Sequence, residues 1–331
     1  MPSEPEKIIV IGGSLGGIEA LKTLASDLPA TLPAALLVVL HVGPYGLNSL
    51  DQIISRAGPL PATNAVHGEK IQAGHIYIAP ADRHLLVDPD GRLILSRGPK
   101  ENRSRPAIDP LFRSAAAAFG PRVIGVVLTG LLDDGTAGLW AVKEQGGVAV
   151  VQHPEDALAP DMPLNAVKHV EVNHCIPLKK IAPLLIDLTA MSPRENEEKS
   201  VPKKMAIEVG IARARNALES GVIELGDPSV FTCPECHGVL LQLKEGSHLR
   251  FRCHTGHAFS SETLLAELVE KTEESLWNVL RAIDETVLLL SRLALDNSRP
   301  DEAALLRQKA DEAKRRSDLI RQTLRPESDN P

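Results

Sequence analysis

The chain has 331 residues, of which 43% are hydrophobic and 24% are charged, as in a globular protein of two or three domains. The 36 lysines and arginines against 43 aspartates and glutamates give a net charge of −7, and aromatic residues make up only 3%. An acidic chain with few aromatic residues lacks the basic surface and the stacking side chains of a nucleic-acid-binding protein. Apolar runs such as Ala34–Leu40 are too short to cross a membrane, and the N-terminus has no signal-peptide pattern. We therefore expect a cytoplasmic protein with no nucleic-acid partner and no membrane insertion.

Short β-branched runs alternate with helical stretches over the first 190 residues. The predicted core strands are Lys7–Gly12, Ala35–Leu40, Val123–Leu128 and Val148–Gln152, and a hairpin around Pro89-Asp90-Gly91 is predicted from Ile76–Ala79 and Leu93–Ser96. Helices are predicted at Ile18–Leu28, Asp109–Phe119 and Thr136–Gln145, with Asp109 as the N-cap of the second of these. This alternation predicts an α/β fold with a doubly wound, mostly parallel sheet covered by helices on both faces.

The remainder of the chain divides by composition. Residues 191–204 are charged, contain prolines and have no apolar periodicity, so we predict a linker between a catalytic domain at 1–190 and a C-terminal part. Residues 205–260 are predicted to hold a helix and a Cys/His-rich hairpin. Residues 261–331 are predicted to form a helical hairpin with a disordered C-terminal tail, because two apolar-faced helices flank a break at Asp296–Asp301.

The turn after the first strand, Gly12–Gly17, has the sequence GGSLGG. A dinucleotide-binding loop would place a glycine where Ser14 stands, and it would place an acidic residue at the end of the second strand, where this chain has His41. A nucleotide site is therefore the weaker interpretation of this turn.

A serine, a histidine and an aspartate each follow a predicted parallel strand, and the carboxyl ends of such strands meet at one edge of the sheet. Ser14 follows the first strand, His41 the second, and Asp133 and Asp134 the third. A serine hydroxyl needs a base to become a nucleophile, histidine serves as that base, and a carboxylate orients the imidazole. The glycines around Ser14 allow a sharp turn that leaves backbone N–H groups free to bind an oxyanion. The pattern predicts nucleophilic acyl transfer.

These residues carry a family resemblance over about residues 7–190. The IGGSLGG turn at Ile11–Gly17 resembles the IGxSxGG turn of CheB-type protein-glutamate methylesterases of chemotaxis. Further blocks follow in family order: His41 in LHVGP, YIAP at Tyr77–Pro80 followed by His84, RPAIDPLF at Arg105–Phe112, LTG and DDG within Leu128–Gly135, and DMP at Asp161–Pro163. His84 is a candidate cleft residue or a surface residue.

The resemblance implies a role for each matched position. Ser14 would be the nucleophile, His41 the general base and Asp134 the orienting acid, with Asp133 as the alternative acid. The Leu131 backbone N–H would bind the oxyanion, and Leu15, Arg105 and Met162 are further candidates for the oxyanion or substrate site. Such enzymes hydrolyse γ-glutamyl methyl esters on receptor helices, releasing methanol, and many also deamidate glutamine. The resemblance thus implies methylated chemoreceptor or sensor helices as partners, with no cofactor for catalysis.

The sequence departs from the family pattern at three places. Leu131-Leu132 replaces Met-Gly, so the loop at the oxyanion site is more restricted than a glycine would make it. Val42-Gly43-Pro44 replaces Met-Pro after His41, which alters the lip of the substrate site. The sequence begins at the first strand of the esterase-like region, so we expect control that does not depend on a phosphorylated receiver domain within the chain.

Cysteine and histidine residues cluster between positions 233 and 257. Cys233, Cys236, Cys253 and His257 form a C-x₂-C-x₁₆-C-x₃-H pattern, and the intervening segment alternates like a hairpin that would bring the two pairs together. Four such ligands predict a structural zinc site with no open position. A metal-free hairpin and a redox pair at Cys233 and Cys236 are the alternatives, and His254 competes with His257 for the fourth position. Similar tails follow esterase domains in some relatives of this family.

The sequence therefore predicts a serine hydrolase that demethylates glutamate γ-methyl esters on chemoreceptor-like proteins. One alternative is a catalytically weak adaptor that binds receptor or kinase partners, and another is an esterase acting on small metabolites. The apolar faces of the C-terminal helices are candidates for docking a signalling partner.

Overall fold

The protein is described here by a computed structural model covering residues 4–41, 49–191, 200–245 and 248–324. By its internal contacts the chain forms two compact units, residues 1–264 and residues 265–331. The predicted division at residues 190 and 204 stays a prediction about domain organisation. Residues 192–199 of the predicted linker and residues 325–331 of the predicted tail lie outside the described ranges.

A seven-stranded parallel sheet forms the centre of the first unit. Its strands are β1 (Lys7–Gly13), β2 (Ala34–Leu40), β3 (Ala62–Asn64), β4 (His75–Ile78), β7 (Val123–Val127), β8 (Val148–Gln152) and β9 (His174–Ile176). They lie in the order β3-β4-β2-β1-β7-β8-β9, and every neighbouring pair is parallel. The four predicted core strands are all present, with bounds within one residue of those expected.

Helices cover both faces of this sheet. They are α1 (Gly17–Asp27), α2 (Leu50–Ala57), α3 (Ile108–Phe119), α4 (Thr136–Glu144), α5 (Asp161–His169) and α6 (Leu178–Ala190). Successive strand residues point to opposite faces, so Ile8 and Val10 pack with α3, α4 and α5, whereas Ile9 and Ile11 pack with α1, α2 and α6. The fold is therefore the predicted doubly wound α/β sheet.

The strand order reverses at β1, because this first strand pairs with β2 on one side and with β7 on the other. In open α/β sheets, ligands bind outside the carboxyl ends of the strands at such a point. The segments that follow β1, β2 and β7 carry Ser14, His41 and Asp134, so the topology brings them to one edge.

Two local predictions were wrong. The hairpin around Asp90-Gly91 joins β5 (His84–Val87) to β6 (Leu93–Ser96), whereas the segment at His75–Ile78 is strand β4 of the main sheet. A short apolar run fits a hairpin or a buried parallel strand equally well, and the position of its partner decides between them. Helix α3 begins at Ile108, so Asp109 lies in its first turn and is not its N-cap.

A second, antiparallel sheet holds the Cys/His-rich segment in the same unit. Its strands are β10 (Asp227–Thr232), β11 (Val239–Glu245), β12 (His248–Cys253) and β13 (Ala258–Ser260), in that order. Helix α7 (Lys203–Ala212) precedes this sheet and begins within the stretch predicted as linker. The predicted hairpin is the β11–β12 pair.

The second unit is a helical hairpin, as predicted. It consists of the greater part of α8 (Ser261–Asp296) followed by α9 (Pro300–Thr323). The two helices are joined by Asp284, which accepts a 2.7 Å hydrogen bond from the Ser317 hydroxyl and pairs with Arg321. No helix in the described ranges is long and apolar enough to cross a membrane.

Candidate active site

Ser14 occupies a tight turn between β1 and α1. Its N–H donates to the Thr129 carbonyl at 2.9 Å, and its own carbonyl accepts from the Gly17 N–H at 2.8 Å. Gly16 adopts a left-handed conformation, φ +80°, which glycine enters without a steric cost. A Cβ at Gly130 would lie 2.8 Å from Ser14 Cβ, so the facing loop approaches Ser14 closely because it has a glycine there. The turn thus leaves the Ser14 side chain partly exposed at the sheet edge.

The His41 ring lies between the cleft and a buried carboxylate. Its Nε2 is 2.8 Å from Asp134 Oδ2, and its backbone N–H donates to the Gly13 carbonyl at 3.1 Å, which ties the end of β2 to the Ser14 turn. Because Nε2 faces the carboxylate, Nδ1 is the ring nitrogen left to accept a proton. Ser14 and His41 both line one open cleft of about 790 Å³.

Asp134 is held by donors on each of its oxygens. Oδ2 accepts from the Ile108 N–H at 2.7 Å, and Oδ1 accepts from the Asn102 side-chain amide at 2.9 Å and from the Gly135 N–H at 3.0 Å. Burial opposes ionisation, but the hydrogen bonds from His41, Ile108 and Asn102 hold the pKa of Asp134 below its ordinary value. A carboxylate that stays ionised and fixed in orientation can hold the imidazole tautomer and stabilise its protonated form.

Asp109, next to Asp134, caps helix α4 and not helix α3, for which the sequence predicted it as the N-cap. Its Oδ1 accepts from the N–H groups of Gly135 and Gly138 at 3.1 and 2.6 Å, so it satisfies the N-terminal turn of α4. Burial and the nearby Asp134 charge raise the pKa of Asp109 to about 7. The sequence could not show this, because the capped helix lies more than twenty residues further along the chain.

The neighbouring Asp133 is directed away from the imidazole. Its Oδ1 accepts from the Ser260 hydroxyl at 2.7 Å, and its Oδ2 lies 3.8 Å from His248 Nε2. Burial raises the pKa of Asp133 to about 8. Of the two candidate acids, Asp134 is therefore the one in contact with His41.

Exchanging each of the two acids for asparagine separates their roles. We expect Asp134→Asn to lower kcat by about 10⁴-fold, because the amide favours the wrong imidazole tautomer. Asp133→Asn is the matched control and should keep kcat within a few-fold of the wild type, since a neutral amide resembles the protonated carboxyl that prevails below a pKa of about 8. Steady-state ester hydrolysis by the two variants, with melting temperatures for each, measures this. Loss of turnover in the Asp133 variant alone would show that the acid has been assigned to the wrong residue.

The loop after β7 presents the candidate oxyanion donors. The start of this loop is fixed, since the Gly130 N–H donates to the Ala159 carbonyl and the Gly130 carbonyl accepts from the Met162 N–H. Among the described residues no backbone carbonyl accepts from the N–H of Leu15 or Leu131, and both side chains are about half exposed. Leu15 lines the cleft, so its N–H is available to an oxyanion there. Leu131 is not among the described residues that line the cleft, and its role as a donor stays a prediction.

Leu132 stands where the family pattern has glycine, and its backbone shows the consequence. Its φ is +62°, in the left-handed region that costs a residue with a side chain about 1–2 kcal/mol. Its carbonyl accepts from the Asn165 side-chain amide at 3.0 Å, which helps to hold this conformation. The expected restriction of the loop is thus present as backbone strain at one residue.

We expect Leu132→Gly to be more stable than Leu132→Ala by about 1 kcal/mol, because both variants lose the same packing but only glycine removes the strain. At an unstrained position alanine is instead the more stable of the two. Chemical unfolding of the two variants measures the difference. Equal stabilities, or a more stable alanine variant, would mean that the positive φ carries no cost.

Three further residues from the sequence prediction lie outside the cleft lining. The Arg105 guanidinium donates to Asp82 Oδ1 at 2.6 and 2.9 Å and to the Gly98 carbonyl, so it is engaged within the protein. Met162 is fully buried beneath Gly130. His84 is fully buried as well, bonded to Pro99 and Ala107, and burial lowers its pKa. Direct contacts of Arg105 and Met162 with substrate stay predictions, and the altered residues Val42-Gly43-Pro44 lie outside the described ranges.

The sequence profile of the CheB methylesterase family matches residues 9–185, more than half of the chain. The chain belongs to the CheB methylesterase family. A relative from Leptospira interrogans is 39% identical over 180 residues, which are 54% of this chain and 93% of the relative.

Other relatives support the family assignment over the same region. Protein-glutamate methylesterase/protein-glutamine glutaminase from Ralstonia nicotianae is 38% identical over 55% of this chain, but this chain spans only 48% of that protein. The crystal structure of the Thermotoga maritima CheB methylesterase catalytic domain superposes with a TM-score of 0.54 at 33% identity, covering 56% of this chain and all of that domain. The segment from α7 onward lies beyond residues 9–185, which the family profile matches.

A Cys/His cluster lies in the second sheet, beyond the matched domain. One ligand atom from each of Cys233, Cys236, Cys253 and His257 lies within 4.8 Å of the others. The Cys236 and Cys253 sulfurs are 3.6 Å apart, and His257 Nδ1 lies 3.6 and 3.8 Å from the sulfurs of Cys253 and Cys233. Ligands at about 2.3 Å from one zinc ion in tetrahedral geometry would be about 3.8 Å apart, so these side chains fit that ion. His257, and not His254, belongs to the cluster.

Asn102 is a residue of this site that the sequence did not reveal. Its amide bonds to both Asp109 and Asp134, at 2.9 Å in each case. It lies in an irregular segment between β6 and α3, where neither periodicity nor ligand spacing provides a signal.

Proposed function

We propose that this CheB-family protein is a serine esterase that hydrolyses glutamate γ-methyl esters on chemoreceptor-like proteins, releasing methanol, and that it also deamidates glutamine there. The observation that carries the proposal is the 2.8 Å contact of His41 with the buried Asp134, on the cleft that Ser14 also lines. The names of the relatives, which include both activities, support the substrate class.

The proposed reaction gives each of these groups one role. His41 Nδ1 takes the proton of Ser14 Oγ, which attacks the ester carbonyl carbon while the carbonyl oxygen gains a negative charge. This bond from Oγ to Nδ1 belongs to the reacting complex, since catalytic hydrogen bonds often tighten only when substrate is bound. In this proposal the N–H groups of Leu15 and Leu131 stabilise the oxyanion.

The second half of the reaction uses the same residues. The imidazolium returns its proton to the leaving methoxide, methanol departs, and the glutamyl group remains as an ester on Ser14. His41 then deprotonates a water molecule that attacks this acyl-enzyme and restores the hydroxyl. With a glutamine substrate the leaving group is ammonia, and the later steps are the same.

The shape of the cleft favours a polypeptide substrate over a small metabolite. It is open, and Leu15, which lines it next to Ser14, is 52% exposed. Two further exposed leucines follow nearby segments: Leu131 is 51% exposed, and Leu158 is 74% exposed. Leu158 flanks Gly16 in the Ser14 turn. Apolar side chains grouped beside an open cleft suit the apolar face of a helix on a receptor.

A serine-directed fluorophosphonate provides the test of the nucleophile, followed by peptide mapping of the labelled residue. Labelling of Ser14, together with methanol release from a methylated receptor fragment, is the expected result. Labelling of another serine would overturn the mechanism, and labelling of Ser14 without methanol release would overturn the substrate class.

The adaptor alternative draws support from the helical hairpin of the second unit. Trp277, Leu288, Leu289 and Leu295 are each more than half exposed there. Large exposed apolar side chains of this kind often mark a protein-binding surface. We propose that the hairpin docks a signalling partner in addition to the esterase activity, within a cytoplasmic protein. Absence of turnover with retained binding to receptor fragments would favour the adaptor function alone.

The Cys/His cluster is proposed to hold one structural zinc ion. Cys233 and Cys253 are fully buried, and the four side chains supply a complete tetrahedral set, so no position remains for a substrate or a reactive water. The ion would order the turns of this small sheet and would take no part in ester hydrolysis.

A further inference from the structure

Asn102 lies where the esterase site meets the Cys/His-rich sheet. It is 8% exposed and has φ +49°, a left-handed conformation that asparagine tolerates better than most residues. Its backbone N–H donates to the Ala258 carbonyl at 2.8 Å, and the Ala258 N–H donates to the Lys100 carbonyl at 3.2 Å. The first residue of strand β13 is therefore hydrogen-bonded to the backbone of the Lys100–Asn102 segment.

The side-chain amide of Asn102 is hydrogen-bonded to the esterase site through its Nδ2 and to the residues around strand β13 through its Oδ1. Its Nδ2 donates to Asp134 Oδ1 and Asp109 Oδ2, each at 2.9 Å. Its Oδ1 accepts from the Ser260 N–H at 3.1 Å and from the Thr263 hydroxyl at 3.3 Å. A flipped amide would aim its oxygen at the ionised Asp134 and its NH₂ at the Ser260 N–H, which can only donate, so these partners favour the orientation given.

The partners of Asn102 Oδ1 are close in sequence to the proposed metal ligands. Strand β13 begins at Ala258, directly after His257, and Ala258 pairs with Arg252, directly before Cys253. The Cys253 N–H in turn donates to the His257 carbonyl at 3.0 Å. The position of β13, and with it Ser260, therefore depends on how the Cys253–His257 turn is held.

Glu101, the residue before Asn102, belongs to a buried cluster of ion pairs that also ties this segment to the Cys/His-rich sheet. Glu101 accepts from Arg252 of β12 at 3.0 Å and pairs with Arg113 of α3, and Arg252 also donates to Glu208 of α7 at 2.7 Å. All four side chains are at most 2% exposed. Removing one partner would leave a buried charge uncompensated. The cluster therefore holds the Glu101 segment against β12 and against helix α3.

We infer that Asn102 is a positioning residue for the catalytic carboxylate and that the Cys/His-rich sheet, ordered by its metal, sets the orientation of Asn102. The inference rests on the proposed esterase function and adds a source of control within the chain. The amide holds Asp134 Oδ1, which fixes the rotation of the carboxylate and so aims Oδ2 at His41. When the Cys253–His257 turn loosens, Ser260 and Thr263 move and no longer donate to Asn102 Oδ1. The Asn102 amide is then free to turn, and Asp134 loses one of the hydrogen bonds that fix its rotation.

Substitutions at Asn102 test the positioning role directly. Asn102→Gly removes the amide without strain at this positive φ, and it should lower kcat by about 10- to 100-fold with little change in KM, as for loss of a hydrogen bond to a charged group. Asn102→Asp places a third carboxyl beside Asp109 and Asp134, whose burial and charges raise its pKa. Its protonated form can still donate, so the ratio of variant to wild-type kcat should fall as pH rises.

Thr263 tests the connection from the other side. Thr263→Val removes the hydroxyl that donates to Asn102 Oδ1 and should lower kcat. The conservative Thr263→Ser variant keeps a hydroxyl at this position and should retain most of the wild-type kcat. Melting temperatures of both variants separate this effect from a general loss of stability. Wild-type kcat and an unchanged pH profile in Asn102→Gly and in Thr263→Val would overturn the inference.

Metal removal from the full-length chain completes the experiment. Chelation followed by removal of the chelator should slow fluorophosphonate labelling of Ser14 and lower kcat, and added zinc should restore both. Fluorophosphonate labelling measures the activation of Ser14 without any natural substrate. If the wild-type protein is labelled at Ser14 but releases no methanol, the proposed substrate is contradicted, whereas the positioning role of Asn102 is not. Labelling at the wild-type rate by metal-free protein and by Asn102→Gly contradicts the positioning role alone.

Discussion

Replacement of Ser14 by alanine is expected to lower the rate of methanol release from a methylated receptor fragment by about 10⁴-fold or more, to the level that substrate binding alone supports. The variant should unfold at the wild-type temperature, because the turn is held by backbone hydrogen bonds that alanine keeps: Ser14 N–H to Thr129 and Gly17 N–H to the residue 14 carbonyl. Steady-state kinetics and thermal unfolding measure the two quantities.

Ser26→Ala is the matched control, since Ser26 lies on helix α1, which directly follows the Ser14 turn. Its exposed hydroxyl donates to the Thr23 carbonyl and to Asp27 and takes no part in the cleft. It should retain full turnover and should still be labelled by a fluorophosphonate. A Ser14→Ala protein with wild-type turnover would show that another group attacks the ester.

Replacement of Cys233 by serine is expected to reduce the zinc content from about one ion per chain to nearly none, and to lower the melting temperature of the first unit. Structural zinc contributes about 10–16 kcal/mol of binding free energy in small zinc-binding peptides, and that energy contributes directly to folding. Cys233 is fully buried and belongs to a small apolar cluster with Leu240, Phe251 and Phe259, so loss of the ion should loosen this sheet. Metal analysis of purified protein and differential scanning calorimetry check both effects.

Cys175→Ser provides the control, because Cys175 lies on β9, away from the cluster, and no other cysteine falls outside it. This variant should keep its zinc. A wild-type protein that contains no zinc after expression in zinc-supplied cells would contradict the metal assignment, whereas zinc retained by Cys233→Ser would contradict the ligand set.

The strands that carry the active site were predictable because they are continuous apolar runs. β1, β2, β7 and β8 are buried on both faces of a parallel sheet, so each is a nearly continuous apolar run. β1, β2 and β8 each contain at least four consecutive aliphatic residues, and in β7 only Gly125 interrupts the run. Since parallel strands end at one edge, the residues following three of them could be expected to meet. The Cys/His cluster was predictable for a similar reason, because two short Cys/His spacings mark two turns.

The strand at His75–Ile78 shows where local pattern is ambiguous. Four apolar residues before a turn fit a hairpin, but the hydrogen bonds of β4 go to β2 and β3, which lie elsewhere in the chain. Asp109 shows the same limit for capping. An acid followed by proline resembles an N-cap, but its carboxylate caps α4, which packs against the beginning of α3.

The sequence by itself determined the parallel α/β sheet, the three residues at its edge and the four residues of the Cys/His cluster, because each depends on local apolar runs or on short spacings. Only the tertiary structure decided which acid meets His41, why Leu132 is strained, and that Asn102 joins the two sheets. The bonds of Asn102 span 32 positions to Asp134 and 158 positions to Ser260. Contacts over such distances depend on how separate elements pack, and no spacing along the chain encodes them.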